Sequence, residues 1–188
     1  MLTDKTVSQL LDAFAASDPT PGGGSAAALA GAIGSSLLLM VARMAKTKGS
    51  AEEDRRTLDA AAVQLAPLAT ELRALVDQDT AAYDEVVAAY RLPKGTDEEK
   101  GARRAAIQRA MRSVIEAPLA VMRACRAALA QAAVVERHGN PNAASDVTVA
   151  TELLRAALNG ARANVEINLP GVSDEAYVAR VRREAAAD

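Results

Sequence analysis

The sequence predicts one all-α domain of long, closely packed and partly kinked helices over residues 1–188, and its composition is the first reason. Roughly a quarter of the 188 residues are alanine, a strong helix former, and only 2% are aromatic. A core of alanine, valine and leucine with so few rings fills space only where helices approach closely. Runs of β-branched and aromatic residues, which favour a sheet, are scarce.

Charge and cysteine content exclude several classes of protein. The 22 basic and 24 acidic side chains give a formal net charge of -2, so a strongly basic nucleic-acid binder is excluded. A single cysteine, Cys125, makes a disulfide framework impossible and fits a small buried thiol. The N-terminus has no basic region followed by an apolar stretch, so we expect no secretory signal and a cytoplasmic protein.

The spacing of the apolar residues and the positions of proline and glycine then divide the chain into helices. A first helix is predicted from about Thr6 to Ala16, followed by a loop through three glycines. Ser25 is the predicted N-cap of an apolar helix that runs to about Lys46. Its stretch Ala26 to Val41 is shorter than the roughly 20 residues that span a bilayer, which favours a buried helix over a membrane segment.

The later helices follow from the same signals. Residues from about Ala51 to Leu92 form one kinked helix or two, because Pro67 interrupts the pattern. Thr96 to Glu99 has the pattern of a capping box and opens a long helix that contains Pro118. The remaining segments are a break at 138–142, a helix from about Ala143 to Ile167, and a short helix to about Ala185 capped by Ser173.

The segment Pro21-Gly-Gly-Gly-Ser25 is the first candidate for chemistry. Glycine amides at a helix N-terminus can bind an anion, although the lysine of a phosphate loop is missing and no strand is predicted before the segment. Three consecutive glycines cost backbone entropy, which suggests a close approach of the backbone to another group. A simple turn is the alternative.

Asp79 lies on the apolar stripe of its helix, between Val76 and Tyr83, so it is predicted to face other helices. Desolvation there would raise its pKa unless a cation pairs with it. Its neighbour Asp77 points about 200° away around the helix and can be solvated. A structural ion pair or helix cap is the alternative role for Asp79.

Other polar residues support weaker predictions. Asp146 opens a helix, where it either stabilises the helix dipole or serves a site. Asn164 and Asn168 are four residues apart and could either bond a ligand or satisfy helix ends. Lys94 and Arg104 are cations near loop ends that could equally be solvated. With one histidine and no metal-ligand spacing, zinc and triad chemistry are not expected.

Five segments in this order resemble the cyclodeaminase/cyclohydrolase family of folate one-carbon enzymes, and the likeness covers nearly the whole chain. That family comprises the C-terminal domain of formimidoyltransferase-cyclodeaminase and free-standing bacterial methenyltetrahydrofolate cyclohydrolases. The segments are Thr20-Pro-Gly-Gly-Gly-Ser25, Asp77-Gln-Asp-Thr-Ala-Ala-Tyr83, Leu92-Pro-Lys94, Gly139-Asn140-Pro-Asn142 with Ser145-Asp146, and Asn164-Val-Glu-Ile-Asn168.

The resemblance implies a dimeric helical bundle that binds a folate and needs no cofactor or metal. It implies either hydrolytic opening of methenyltetrahydrofolate or cyclodeamination of formimidoyltetrahydrofolate; a non-catalytic folate-binding dimer is a further alternative. We expect Asp79 and Asp146 to be the catalytic residues, Asp79 as the acid/base and Asp146 with Asn140 and Asn142 as an orienting and pterin-bonding cluster. Lys94 and Arg104 would attract the glutamate tail. The remaining predicted binding residues are Gly22, Gly23, Gly24, Ser25, Asn164 and Asn168.

Overall fold

The all-helical architecture is confirmed over the residues that the structure, a computed structural model, describes: 1–44 and 52–187. No strand occurs within these two ranges. One-turn 3-10 helices at Leu2–Asp4, Pro141–Ala143 and Leu169–Gly171 accompany six α-helices. The α-helices are α1 (Val7–Ala15), α2 (Gly23–Arg43), α3 (Glu52–Arg91), α4 (Asp97–His138), α5 (Ala144–Asn168) and α6 (Glu175–Ala186).

Local capping signals set two helix starts as predicted. The side chain of Thr6 accepts a hydrogen bond from the backbone of Gln9, which returns one from its own side chain. Thr96 and Glu99 form the same reciprocal pair at the start of α4. Each pair satisfies two backbone donors that a helix start leaves open.

The two internal prolines end neither long helix. Both α3, with Pro67, and α4, with Pro118, run without a break through a residue that lacks a backbone donor. The segment after residue 51 is therefore one helix, α3, and not two.

Two predicted caps are wrong, and one predicted end lies too far along the chain. Gly22, not Ser25, is the N-cap of α2, because the helix begins three residues earlier. Asp174, not Ser173, caps α6, and the Ser173 hydroxyl bonds Gln108 instead. The α2 helix ends at Arg43, whereas the predicted end and the basic stretch 46–50 lie outside the described residues.

The α2 helix is central to the bundle and packs against α3, α4 and α5. Its glycines permit a close approach: a Cβ at Gly34 would lie 2.8 Å from the carbonyl oxygen of Ala150, and one at Gly31 would lie 3.0 Å from Cys125 Sγ. The distance at Gly34 is shorter than real Cβ atoms show, and the distance at Gly31 is tighter than nine in ten real Cβ contacts. Small residues on α2 therefore replace ring packing in this core, as the composition predicted.

The first residues of the chain are tied to α3 through Asp77. Its carboxylate accepts hydrogen bonds from the backbone N–H of Leu2 and the hydroxyl of Thr3. Asp77 is half-buried, so it remains partly solvated while it holds these first residues. The α1 helix that follows has no buried residue, and Val7 and Leu11 are 76% and 62% exposed.

By length and composition alone, α2 and α4 could each cross a membrane, and core helices of globular proteins pass the same test. The most apolar windows of these helices have mean hydropathies of 1.9 and 1.3 and are 56% and 50% buried inside the fold. The inward faces of both helices belong to the core.

Candidate active site

Asp79 meets the N-terminus of α2. Its Oδ2 accepts a hydrogen bond of 2.9 Å from Ser25 Oγ, and Thr80 Oγ1 lies 3.2 Å from the same hydroxyl. Because Ser25 donates its proton to Asp79, the Thr80 hydroxyl is the donor in the second bond. The three side chains form a relay that ends on the carboxylate, and Asp79 supplies the acceptor that the N-cap Gly22 lacks.

Gly24 makes this contact possible. A Cβ on Gly24 would lie 2.0 Å from Asp79 Oδ1 and 2.5 Å from Cγ, which no side chain could occupy. A Cβ on Gly23 would lie 3.6 Å from Asn164 Nδ2, an ordinary contact. The prediction that the glycine segment approaches another group closely is therefore confirmed for Gly24.

Burial raises the pKa of Asp79 above its ordinary value of 3.8, and the hydrogen bonds from the side chain and backbone of Ser25 oppose that rise. Among the described residues, Asp79 has no ion-pair partner. The alternative of a structural ion pair is thereby removed, whereas the helix-cap role is real and coexists with the raised pKa.

Asn164 and Asn168 reach the same end of the bundle on α5. Asn164 lies beside Gly23, and its Nδ2 donates to the carbonyl of Gly160 over 2.8 Å. Asn168 donates in the same way to the carbonyl of Asn164. These bonds orient both carboxamides and leave their oxygens free of other described partners, so the oxygens can accept from a ligand N–H.

A cavity of about 490 Å³ opens along α3 beyond Asp79. Pro19 and Thr20 form one wall, and the Thr20-Pro21 peptide bond is cis. Tyr83, one turn beyond Asp79, and Arg91 at the end of α3 lie on the other wall. The volume is within the range of small-molecule sites.

Thr80, Tyr83 and Arg91 are missing from the candidate residues drawn from the sequence. The spacing of Tyr83, Val87 and Arg91 by four residues places them on one face of α3, and this was the available signal. Thr80 directly follows Asp79, but nothing local indicates that its hydroxyl would meet Ser25 from another helix.

Asp146, Asn140 and Asn142 lie at the opposite end of the subunit. Asp146 is 18 residues from Asn164 on the same straight element, about 27 Å along the axis of α5. Asn140 caps the short helix beside it by accepting from the backbone of Asn142 over 3.0 Å. Within one subunit, the structure does not bring this cluster together with Asp79.

Lys94 and Arg104 come together at the turn between α3 and α4. With Lys100, Arg103 and Ile107 they line a cavity of about 350 Å³. Arg91, where α3 ends, is twelve residues beyond Asp79, about 18 Å along the helix axis, and Lys94 lies three residues further along the chain. A substrate centred on Asp79 would reach these cations only with an extended anionic tail.

Comparisons with known proteins agree with this architecture. A family model described as formiminotransferase-cyclodeaminase matches residues 6–187. The chain is 40% identical over 177 residues to the methenyltetrahydrofolate cyclohydrolase of Methylorubrum extorquens, covering 94% of this chain and 85% of that protein. The chain therefore belongs to the formiminotransferase-cyclodeaminase family.

Two further proteins are similar to most of this chain. It is 32% identical to the formimidoyltransferase-cyclodeaminase of Gallus gallus, covering 94% of this chain but only 32% of that longer protein. The crystal structure of a formiminotetrahydrofolate cyclodeaminase from Thermotoga maritima matches with a TM-score of 0.85 and 26% identity, covering 98% of this chain and 88% of that one.

Proposed function

We propose that this protein is a folate one-carbon enzyme that hydrolyses 5,10-methenyltetrahydrofolate to 10-formyltetrahydrofolate. The carrying observation is Asp79: a half-buried carboxylate with a raised pKa and no described cation partner, held beside the glycine segment near an open cavity. The similarity to a cyclohydrolase over most of both chains supports this reaction over others of the family.

The reaction needs a base and then a proton donor. The oxygen of water bonds to the methenyl carbon, and the bond from that carbon to the pterin-side nitrogen breaks. One proton of the water ends on the released nitrogen and the other is lost to solvent. Asp79 takes the proton from the attacking water and returns it to the leaving nitrogen, a task suited to a carboxylate whose pKa lies above the usual range.

The surrounding residues bind and orient in this scheme. The oxygens of Asn164 and Asn168 accept hydrogen bonds from the pterin, and the first turn of α2 at Gly22, Gly23 and Gly24 supplies backbone donors. Ser25 holds the carboxylate in position. Lys94 and Arg104 attract the outer part of the glutamate tail.

Cyclodeamination of formimidoyltetrahydrofolate is the second candidate, supported by the vertebrate relatives and by the Thermotoga maritima structure. The same carboxylate would carry a proton to the departing ammonia. A folate-binding protein without catalysis is the third candidate, but it has no use for a carboxylate with a raised pKa one helical turn from the cavity.

The proposal also covers the location of the enzyme, its oligomeric state and its cofactor requirement. We infer a cytoplasmic homodimer that uses tetrahydrofolate derivatives as substrates and needs no cofactor or metal. The dimer follows from the resemblance, and the exposed side chains of Ile33 and Met40 on α2 are consistent with it.

The decisive experiment follows the loss of methenyltetrahydrofolate absorbance in a buffer where uncatalysed opening is slow. We expect Asp79→Asn to lower turnover about 10²- to 10⁴-fold, the usual contribution of a general acid-base, with folate binding and helicity retained. Full activity in this variant would remove Asp79 from the mechanism. If the wild type does not hydrolyse methenyltetrahydrofolate, release of ammonia from formimidoyltetrahydrofolate tests the second candidate. A protein that is inactive in both assays favours the third candidate, the folate-binding protein.

A further inference from the structure

The cavity along α3 has mainly apolar walls and begins beside the Asp79 site. Tyr83 and Val87 of α3 line one side, and Pro19 and Thr20 line the other. Thr20 lies two residues before the N-cap of α2, so the cavity opens next to the glycine segment. A ligand held at Asp79 can therefore extend into this cavity along α3.

Tyr83 offers this cavity a free aromatic ring. The guanidinium of Arg103 covers the ring of Tyr90, 5.4 Å from its centroid, and Tyr177 has two guanidinium groups over its ring. Within the described part of the chain, the ring of Tyr83 carries no such cation. The residue is half-buried, so the ring is held in place and can pair with an aromatic ring of a ligand.

Arg91 supplies a cation at the far end of the same cavity. Among the described residues it has no ion-pair or hydrogen-bond partner, so its guanidinium can bind a carboxylate of a ligand. Side chains on a helix lean toward its N-terminus, which directs the long Arg91 side chain back along α3 toward Tyr83. Asp84 also lines the cavity, and its carboxylate can accept an N–H from the middle of the ligand.

We propose that this cavity binds the aminobenzoylglutamate half of the folate and that Arg91 selects it by pairing with the α-carboxylate of the first glutamate. Tyr83 packs against the aminobenzoyl ring, and Asp84 accepts the amide N–H that joins the ring to the glutamate. This inference rests on the proposed function and adds to it the residues that recognise the outer half of the substrate.

The spacing along α3 matches the length of the substrate. Asp84 is five residues beyond Asp79, about 7.5 Å along the helix axis, and Arg91 is twelve residues beyond it, about 18 Å. With ordinary bond lengths, an extended folate places its amide nitrogen about 8 Å from the methenyl carbon and its α-carboxylate about 10 Å from it. The Arg91 side chain, which leans back toward Asp79, spans most of the remaining distance.

A substrate without the glutamate separates the role of Arg91 from a general disturbance of the site. Methenyltetrahydropteroamide keeps the reacting carbon and the aminobenzoyl ring, but an unsubstituted amide replaces the glutamate. For the wild type, we expect KM for the folate to be about tenfold or more below KM for the pteroamide. Arg91→Gln should raise KM for the folate by a similar factor, leave KM for the pteroamide unchanged, and change kcat for neither substrate.

Three further variants check the chemistry of the contacts. Arg91→Lys keeps the charge but loses the planar fork, so its KM for the folate should lie between those of the wild type and Arg91→Gln. Tyr83→Leu should raise KM for both substrates, because both carry the aminobenzoyl ring. Arg137→Gln, exposed in the last turn of α4 at the far end of that helix, is the matched control and should keep the wild-type KM.

Calorimetric titration with 5-formyltetrahydrofolate tests the same contacts without turnover. The Kd should rise in Arg91→Gln by the same factor as KM for the folate. Equal Kd values for the wild type and Arg91→Gln, or an equal rise in KM for the folate and the pteroamide, would overturn the role of Arg91. A wild type that binds folate with this dependence on Arg91 but hydrolyses none would contradict the proposed reaction and support the cavity. A wild type that binds no folate would overturn both.

Discussion

The carboxylate of Asp79 combines two roles that oppose each other electrostatically. As the acceptor at the start of α2, it receives hydrogen bonds that favour its charged form. As a half-buried group, it loses hydration, which disfavours that form and is the larger effect. The pKa of Asp79 is therefore raised. The hydrogen bond from the Ser25 hydroxyl limits this rise, and a substitution at Ser25 can remove it.

Removing the Ser25 hydroxyl should move the pH profile of the enzyme. The hydrogen bond from Ser25 lowers the pKa of Asp79, so Ser25→Ala should raise that pKa further. The acidic limb of kcat/KM then moves to higher pH, because the base works only when ionised. Thr148→Ala, which removes an exposed hydroxyl on α5, is the control; a limb that stays in place in Ser25→Ala would separate this limb from Asp79.

Substitution by alanine should lower the stability of the protein at Gly24 but not at the adjacent Gly23. Gly24→Ala forces Asp79 or α2 to move, since the new Cβ would lie 2.0 Å from Oδ1. We expect a loss of about 1–3 kcal/mol in the free energy of unfolding, together with a loss of activity. Gly23→Ala has room and should keep the wild-type stability in a urea titration. Equal stabilities for the two variants would contradict the close approach.

At the scale of the elements, the approach of α2 to α5 depends on Gly34. A Cβ there would meet the carbonyl oxygen of Ala150 at 2.8 Å and Leu154 Cγ at 2.9 Å, and backbone atoms yield little. Gly34→Ala should lower the free energy of unfolding by about 1–3 kcal/mol. Gly101→Ala, on open surface of α4, should raise it by about 0.5–1 kcal/mol. A stable Gly34→Ala variant in thermal unfolding would show that the two helices can separate cheaply.

Helix boundaries were predictable from the sequence where the signal is local. Thr6 and Thr96 each pair with a residue three positions on, so the sequence alone identifies those starts. Ser25 fails because its hydroxyl bonds a residue 54 positions away, which outcompetes a cap on its own helix. Ser173 fails for the same reason, through Gln108 of α4.

The candidate site was predictable where a buried helix face shows as a periodic pattern of apolar residues in the sequence. Asp79 stands out as an acid on an apolar stripe, and the structure confirms its burial and raised pKa. Asp146 shows the same local pattern, but the antiparallel packing of α2 and α5 decides which helix ends meet. That packing sets Asp146 at the far end of the subunit, and no short-range signal encodes it.

For the whole molecule, the raised pKa of Asp79 is also a statement about stability. The folded state holds the proton on Asp79 to higher pH than the unfolded chain does. Between the two pKa values the folded state binds more protons, so stability falls as pH rises through this window. The favourable contribution is complete below the unfolded value, near 3.8, and is lost above the folded value, where the buried carboxylate is charged.

Asp79→Asn should therefore stabilise the fold most at neutral pH. The amide cannot ionise, and its oxygen can still accept from Ser25, so the variant avoids the cost of a buried charge while retaining the geometry. We expect its free energy of unfolding to exceed that of the wild type at pH 7 and the difference to shrink as the pH falls toward 3.8. Urea titrations of both proteins across this range measure the difference directly, and other acidic groups cancel between them. A variant less stable than the wild type at pH 7 would mean that the ionised carboxylate stabilises α2 more than its burial costs, and Asp79 would then be a structural cap rather than a base held ready for catalysis.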